Sequence, residues 1–541
     1  MSKQGSQTVA SIDDNADGEI KRPVETAEPS DQPSLSSAAV AFILLGLSLP
    51  VFLIALDTSI VATAIPYITD RFRSTQDIGW YGSAYFLALC SLQATSGKLY
   101  ATFSLKWTFL SFFAVFELGS LLCATAVSSN MFIGGRAVAG AGGAGIVSGA
   151  FSIVAFIAPL PKRPLYIGVI SSFFGVATVV GPLIGGAFTE HISWRWCFYI
   201  NLPIGAIAGL VLTFFFNPPT RAIETEPIVR RIRALDLIGA SLFIPAILMA
   251  LLALQWGGST YPWKSATIIG LFLGFGGLCV VFVFWQFYKG EEAMLPMSIL
   301  LNRTVAFSSL TLAFAYGAIF SVVYYLPEWF QVVKGAGPIR SGVMSLPTFI
   351  PQIAAALLSG ALAPQLGPLN PWLYIGCAFM AIGIGLYGTF DTSTSSAHWI
   401  SYQILPGIGF SMMAQMPVVA VQATLPTSQS PVGVATATFS QFFGSAIFLA
   451  ISQALFANIF INKLTVDIPG VDLQNLLLSG SGAIRKLVPP EDLPVVLGAF
   501  NQALMGTFYL SAAVSAAAIF ISFGIPWINI KGKNLVIEPG A

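Results

Sequence analysis

Three ionisable side chains stand inside otherwise apolar, helix-length stretches of this chain. Asp57 lies in LDTSIVATAIP (56–66), Arg136 opens RAVAGAGGA (136–144), and Glu117 sits in the third apolar stretch. A charge in hydrocarbon is costly to hold, so such a residue faces a partner or water, or carries a proton. From its residues alone Asp57 has two readings, a proton carrier or a carboxylate capping a neighbouring helix. Arg136 needs a counter-charge, which either Asp57 or Glu117 can supply. A static salt bridge and a role in proton coupling are both open for it.

Other chemistry has little material. The two histidines, His191 and His398, are far apart at the ends of apolar segments, and the five cysteines (Cys90, Cys123, Cys197, Cys279 and Cys377) show no C-x-x-C spacing. No metal site and no disulfide is expected. No G-x-x-x-x-G-K-[ST] loop occurs, so the chain itself should hydrolyse no ATP. A net charge of +1 leaves no basic footprint for nucleic acid.

The elements that must position these residues are membrane helices. Of 541 residues, 55% are hydrophobic and 9% charged, against about 25% charged in soluble domains. Each crossing needs about 20 mostly apolar residues, and the chain offers fourteen such segments, near 39–66, 79–97, 108–127, 131–156, 165–188, 196–216, 236–256, 266–287, 304–330, 341–363, 371–390, 398–420, 432–456 and 504–526. The fold class is therefore all-α integral membrane, grouped six plus two plus six. A disordered tail (1–37) leads into a first six-helix half (38–216). A linker with two extra transmembrane helices (217–303) precedes the second half (304–530), and a tail (531–541) ends the chain. Within the second half a long loop, 457–503, should lie on the outer face, with Pro489-Pro490-Glu491-Asp492 starting a short surface helix.

With the N-terminus taken as cytoplasmic, 15 Lys and Arg fall on the cytoplasmic side and 9 outside. The positive-inside rule then places both termini in the cytoplasm.

The most shaped segment is GVISSFFGVATVVGPLIGGAF (168–188). Ala177, Gly181 and Gly185 recur every fourth residue, a spacing that lets another helix approach one face closely. Pro182 removes a backbone donor within the same helix. The pattern of Gly168, Ala177, Gly181, Pro182, Gly185 and Gly186 resembles G-x8-G-x3-G-P-x2-G-G, the antiporter motif of major facilitator superfamily exporters, with Ala177 in place of the second glycine. Asp57 with its neighbours resembles the L-D-x-T-I-V-x-x-A-x-P signature of the drug:proton antiporter families. Arg136-Ala137-Val138-Ala139-Gly140-Ala141-Gly142 resembles R-x-x-x-G-x-G, with Ala139 where a polar residue is usual. Trp194 to Gly205 resembles the entry to the sixth helix in the fourteen-spanner branch. By its residues it reads as an aromatic belt with a proline stop. The loop from Gly97 to Lys106 stands where the superfamily's gating loop would be. It carries Ala101 in place of the acid, and so reads as a degenerate turn.

The resemblance implies a fungal-type drug or toxin efflux pump with two pseudo-symmetric six-helix halves that rock around a cavity, exporting substrate as protons enter. Tyr324, Tyr325, Gln415 and Gln441 are cavity candidates. The glutamines, Gln422 included, read equally as interhelical glue. With 43 Phe and few intramembrane charges, the pocket suits a hydrophobic, largely neutral molecule. A carrier of the same fold for a siderophore, amino acid or other nutrient is the alternative. A membrane enzyme or receptor lacks support in the residues. The expected partners are a small-molecule substrate, protons and the bilayer, with no cofactor, in a monomer at the plasma membrane or alternatively the vacuolar membrane.

Overall fold

The computed structural model describes residues 36–73, 77–219, 221–258, 260–467, 485 and 488–532. The expected tails therefore lie almost wholly outside the described residues. Fourteen long helices follow in order. They are α1 (Ser37–Phe72), α2 (Ile78–Thr102), α3 (Leu105–Ala124), α4 (Ser129–Ile157), α5 (Arg163–His191), α6 (Asn201–Phe215), α7 (Leu237–Trp256), α8 (Ala266–Lys289), α9 (Arg303–Val332), α10 (Leu346–Leu366), α11 (Asn370–Tyr387), α12 (Ser396–Ala414), α13 (Ser430–Asp467) and α14 (Leu493–Ser522).

Thirteen helical stretches among the described residues are long and apolar enough to cross a membrane. The fourteenth, α2, has 25 residues but carries Ser91, Gln93, Ser96 and Lys98, which dilute its hydropathy. Those polar groups can be tolerated because α2 packs against α4, α7 and α13 and buries much of its surface in protein.

Helix starts are set by local chemistry. Ser128 Oγ accepts from Met131 N at 3.2 Å to open α4, and Ser265 Oγ accepts from Ile268 N at 3.3 Å to open α8. Asp236, at φ 53°, accepts from Gly239 N at 3.0 Å to open α7. Each satisfies one of the donors that a helix leaves unpaired at its start.

The two halves repeat one packing plan. In the first, α1 packs on α5 and α6, α2 on α4, and α3 on α4 and α6; in the second, α9 packs on α13 and α14, α10 on α12, and α11 on α12 and α14. Shifting the numbering by eight turns one set into the other. The contacts between halves obey the same relation, α2 meeting α13 and α5 meeting α10. The linker helices stand aside, α7 on α2 and α8 on α7. Burial follows from this plan: the most apolar window of α4 is 83% buried, that of α8 only 11%. Thus α4 forms the centre of its half and α8 faces lipid.

Several boundaries differ from the sequence reading. Helix α1 runs on through position 66 to Phe72 and ends at Arg73, at φ 51°. The stretch read as a turn from Gly97 is helical to Thr102, leaving only Phe103 and Ser104 before α3. The loop placed at 457–503 is shorter, because α13 continues to Asp467. Pro489 to Asp492 lead straight into α14 instead of a separate surface helix. A proline just before a helix suits either start equally, and the apolar run behind it is long enough to join the membrane helix. Residues 468–484 and 486–487 of that loop lie outside the described residues. The segment near Trp194 is also less belt-like than its composition implies. Trp194 is buried, edge-on to Phe72 and Phe132 at 5.9 Å each, with Arg195 over its ring. Trp196 is the residue left exposed.

Candidate functional site

Arg136 reaches from α4 to α1, where its Nη1 donates to Asp57 Oδ2. This ion pair leaves the arginine 1% and the aspartate 0% exposed. Helix α2 fixes the guanidinium from the side. Nε donates to the Tyr81 carbonyl at 2.9 Å, and the Tyr85 ring lies 4.6 Å from the guanidinium carbon. Asp57 caps no helix, and it, not Glu117, is the partner of Arg136.

The second carboxylate oxygen, Asp57 Oδ1, is buried with no hydrogen-bond partner. The Asp57 carboxylate lies beside the side chain of Asn201 on α6. Asn201 is fully buried and donates to Ser120 Oγ on α3 at 3.0 Å. Glu117 lies one helical turn before Ser120, with both carboxylate oxygens buried and unpartnered. Opposite it stands Gly205, where a Cβ would collide with the Glu117 carboxylate. Four helices thus bring together Asp57, Arg136, Asn201, Ser120 and Glu117 in an otherwise apolar core. The cluster can accept a proton on Asp57 Oδ1, the carboxylate oxygen that has no partner. Protonation removes the negative half of the pair and leaves the arginine to the carbonyl and ring of α2. Asn201 and Ser120 escaped the sequence reading. The available signal was a lone amide, Asn201, in an apolar entry segment.

The small-residue helix α5 serves two partners. Ser59 Oγ on α1 donates to the Ala177 carbonyl at 3.3 Å. A Cβ on Gly181 would strike Ser59, and one on Gly185 would strike Thr63 and Ile60. Gly168, at the other end, faces the second half, with its Cβ position 2.6 Å from the Ala356 carbonyl and 2.9 Å from Gln415 Oε1. Gly186 meets nothing within 4 Å, so close packing does not account for it. Pro182 lies inside the helix and leaves the Thr178 carbonyl without its usual donor.

Gln415 donates to the Ala356 carbonyl at 3.0 Å and to Ser359 Oγ at 2.8 Å, binding α12 to α10. That is the glue reading of this residue. Tyr324 and Tyr325 meet edge to face at 5.0 Å; Tyr325 is buried on Phe456 of α13, while Tyr324 is 49% exposed. Gln441 is buried on α13.

At the end where α2 and α4 finish and α5 and α13 begin, the halves are closed against each other. Gln93 Nε2 donates to Thr438 Oγ1 at 2.9 Å. Arg163, counted as a loop cation in the sequence, is buried and donates to the carbonyls of Ala155 (2.8 Å), Ala158 (3.1 Å) and, across the interface, Gln422 (3.3 Å). Gln422 returns a bond to the Phe151 carbonyl at 3.0 Å. Among the described residues no group of His, Cys, Asp and Glu is arranged to hold a metal.

Two six-helix repeats meeting through α2/α13 and α5/α10, with polar groups buried within one repeat, define the architecture of a secondary membrane transporter. The chain belongs to the Major Facilitator Superfamily, whose sequence profile matches residues 47–450. It is 44% identical over 530 residues to the MFS-type transporter pigP of Monascus ruber, covering 97% of this chain and 92% of that one. It is 42% identical over 532 residues to the MFS-type efflux pump MFS1 of Arthroderma benhamiae, covering 98% and 99%. Among solved structures it is similar in fold to the proton:xylose symporter XylE, with a TM-score of 0.59 at 16% identity, covering 93% of this chain and 98% of that one.

Proposed function

We propose that this transporter exports hydrophobic small molecules, a secondary metabolite, mycotoxin or drug, from the cytoplasm or inner leaflet in exchange for protons. The observation that carries this reading is the fully buried Asp57–Arg136 pair joining α1 to α4. Taking two charges out of water is expensive even when they pair, and a pair that opens as helices move changes the proton affinity of its acid. Loading a proton on Asp57 would loosen α1 from α4, and releasing it would restore the pair. Rocking of the halves would tie that cycle to substrate exit. The efflux-pump name of the Arthroderma benhamiae relative supports the direction of transport. The 43 Phe of the chain and its few intramembrane charges favour a largely neutral substrate.

The reading needs no cofactor, because the proton gradient supplies the energy. It places a single chain in the plasma membrane with both termini in the cytoplasm, the side at which the halves are closed. The test is expression in a pump-deficient cell challenged with structurally unrelated hydrophobic toxins. Resistance with lowered intracellular toxin is expected. Increased accumulation, or growth rescue on a scarce nutrient, would favour an importer and overturn the export reading.

A further inference from the structure

We propose that the cleft between the linker helices and the second half, α7 and α8 against α9 and α13, is a lateral binding site for a compact, neutral, apolar molecule carrying one hydrogen-bonding group. The proposal rests on the export reading in one respect, that its occupant is the exported compound waiting in the adjacent leaflet.

The cleft encloses about 310 Å³, within the range of small-molecule sites, roughly 300–1,000 Å³. Its walls include Phe243 and Ala246 of α7, Cys279 and Phe282 of α8, Ser309 of α9 and Phe439 of α13. The Phe243 ring joins three of these helices, 5.2 Å from Phe282 and 5.3 Å from Phe439. Ser309 follows the start of α9 by six positions and Phe439 the start of α13 by nine. At about 1.5 Å per residue the cleft lies roughly 9–14 Å inside that end of the bundle, in the leaflet beside the closed mouth. Val283, another wall residue, is 42% exposed on the lipid-facing helix α8, and Cys279 is half-buried, so the cleft opens sideways.

Its polar content is selective. Two wall hydroxyls are occupied within their own helix, Thr436 on the Val432 carbonyl (2.8 Å) and Ser440 on the Thr436 carbonyl (3.0 Å). Ser309 is 8% exposed and its hydroxyl has no partner. A buried hydroxyl left unbonded is unfavourable, and a ligand group that meets it gains that contact. No charged side chain lines the cleft. The cations that flank its helices at the end of α8 and the start of α9 are engaged elsewhere, Lys289 on Glu292 at 2.7 Å and Arg303 on the Gly524 carbonyl at 2.8 Å. A phospholipid phosphate would find no counter-charge on the cleft walls, so a compact neutral compound suits the site better than a lipid. The cleft also stays open to the bilayer while the mouth between the halves is shut, which allows a substrate to collect before the halves part.

The test is photolabelling of the full-length chain in nanodiscs with a diazirine-bearing benzyl alcohol and with its toluene analogue, which lacks the hydroxyl. Peptide mapping should show saturable labelling of Phe243, Cys279 and Phe282, and non-saturable labelling of the lipid-exposed Phe284 and Phe287. Ser309→Ala should weaken the alcohol probe about fivefold, the worth of one hydrogen bond, and leave the toluene analogue unchanged. Ala246→Phe should abolish saturable labelling, as should Ala306→Leu if the first variant folds poorly. Labelling of Phe282 that never saturates, or that excess phosphatidylcholine displaces while an excess of unlabelled benzyl alcohol does not, would overturn the proposal. Efflux of the same probe from vesicles under an imposed pH gradient separates the two readings. Saturable labelling without efflux upholds the cleft and counts against export; efflux without saturable labelling overturns the cleft and leaves export standing.

Discussion

Gln93 on α2 donates to Thr438 on α13 at 2.9 Å, a buried side-chain bond that spans the two halves of the transporter. It belongs to the same closed end as the exchange between Arg163, Gln422 and the Phe151 carbonyl. These bonds hold the halves together at one face and must break for that face to open.

Gln93→Leu should therefore favour opening there. The loss of one net hydrogen bond, about 1 kcal/mol, shifts the open-to-closed ratio about fivefold. Arg163→Ala removes one bond across the interface, to the Gln422 carbonyl, and should shift it by a similar amount. Spin-label distances between α2 and α13 across the closed face would report the change. Unaltered distance distributions in both variants would mean that these bonds do not set the closed state.

Gly185 gives the packing account a separate test. Gly185→Leu drives a side chain into Thr63 and Ile60 of α1, and overpacking of that size typically costs about 1–3 kcal/mol. Transport should be lost at near-normal expression, with Gly185→Ala milder. Gly186→Ala should be silent, since that position meets open space. Normal transport by Gly185→Leu would contradict the close-packing account.

The contrast between Gly185 and Gly186 shows where sequence reasoning stops. Spacing identifies which glycines share a face, but neighbouring glycines in one motif look alike until the partner helix is in place. The helices themselves were legible because hydrocarbon thickness demands long apolar runs. Only α2, whose polar residues lie against other helices, weakens that signal. Asp57 and Arg136 stood out as charges in apolar stretches, yet their pairing did not, because Glu117 was an equally available acid. The closed mouth was hidden for a different reason. Arg163 and Gln422 bond to backbone carbonyls, and carbonyls carry no sequence signature.

Asn302-Arg303-Thr304 is the chain's N-x-[ST] sequon. Asn302 Oδ1 accepts from Thr304 N at 3.0 Å as the cap of α9, at the end taken here as cytoplasmic. The site should carry no glycan. An endoglycosidase-sensitive mass shift that vanishes in Asn302→Gln would contradict the orientation. Asn302→Ala should lower stability by about 1 kcal/mol through loss of the cap, which a thermal shift in detergent would register.

Arg136→Ala would leave Asp57 buried and uncompensated, a loss of about 3–5 kcal/mol if the acid stays ionised. Acidic conditions should rescue part of the folded protein by protonating Asp57. Arg136→Lys keeps the charge but not the fork that reaches both Asp57 and the Tyr81 carbonyl, and should fold better than Arg136→Ala while transporting poorly. Equal thermal stability of Arg136→Ala and the wild type across pH would show that the pair contributes nothing to the fold.

The central claim is that Asp57 carries the coupled proton, and the most direct measurement is pH-gradient-driven substrate uptake into inside-out vesicles by Asp57→Asn. The amide mimics a permanently protonated acid. Uptake against a concentration gradient should fall to background while substrate binding persists and downhill exchange continues. Concentrative uptake by Asp57→Asn at the wild-type rate would contradict the account and remove this residue from the mechanism.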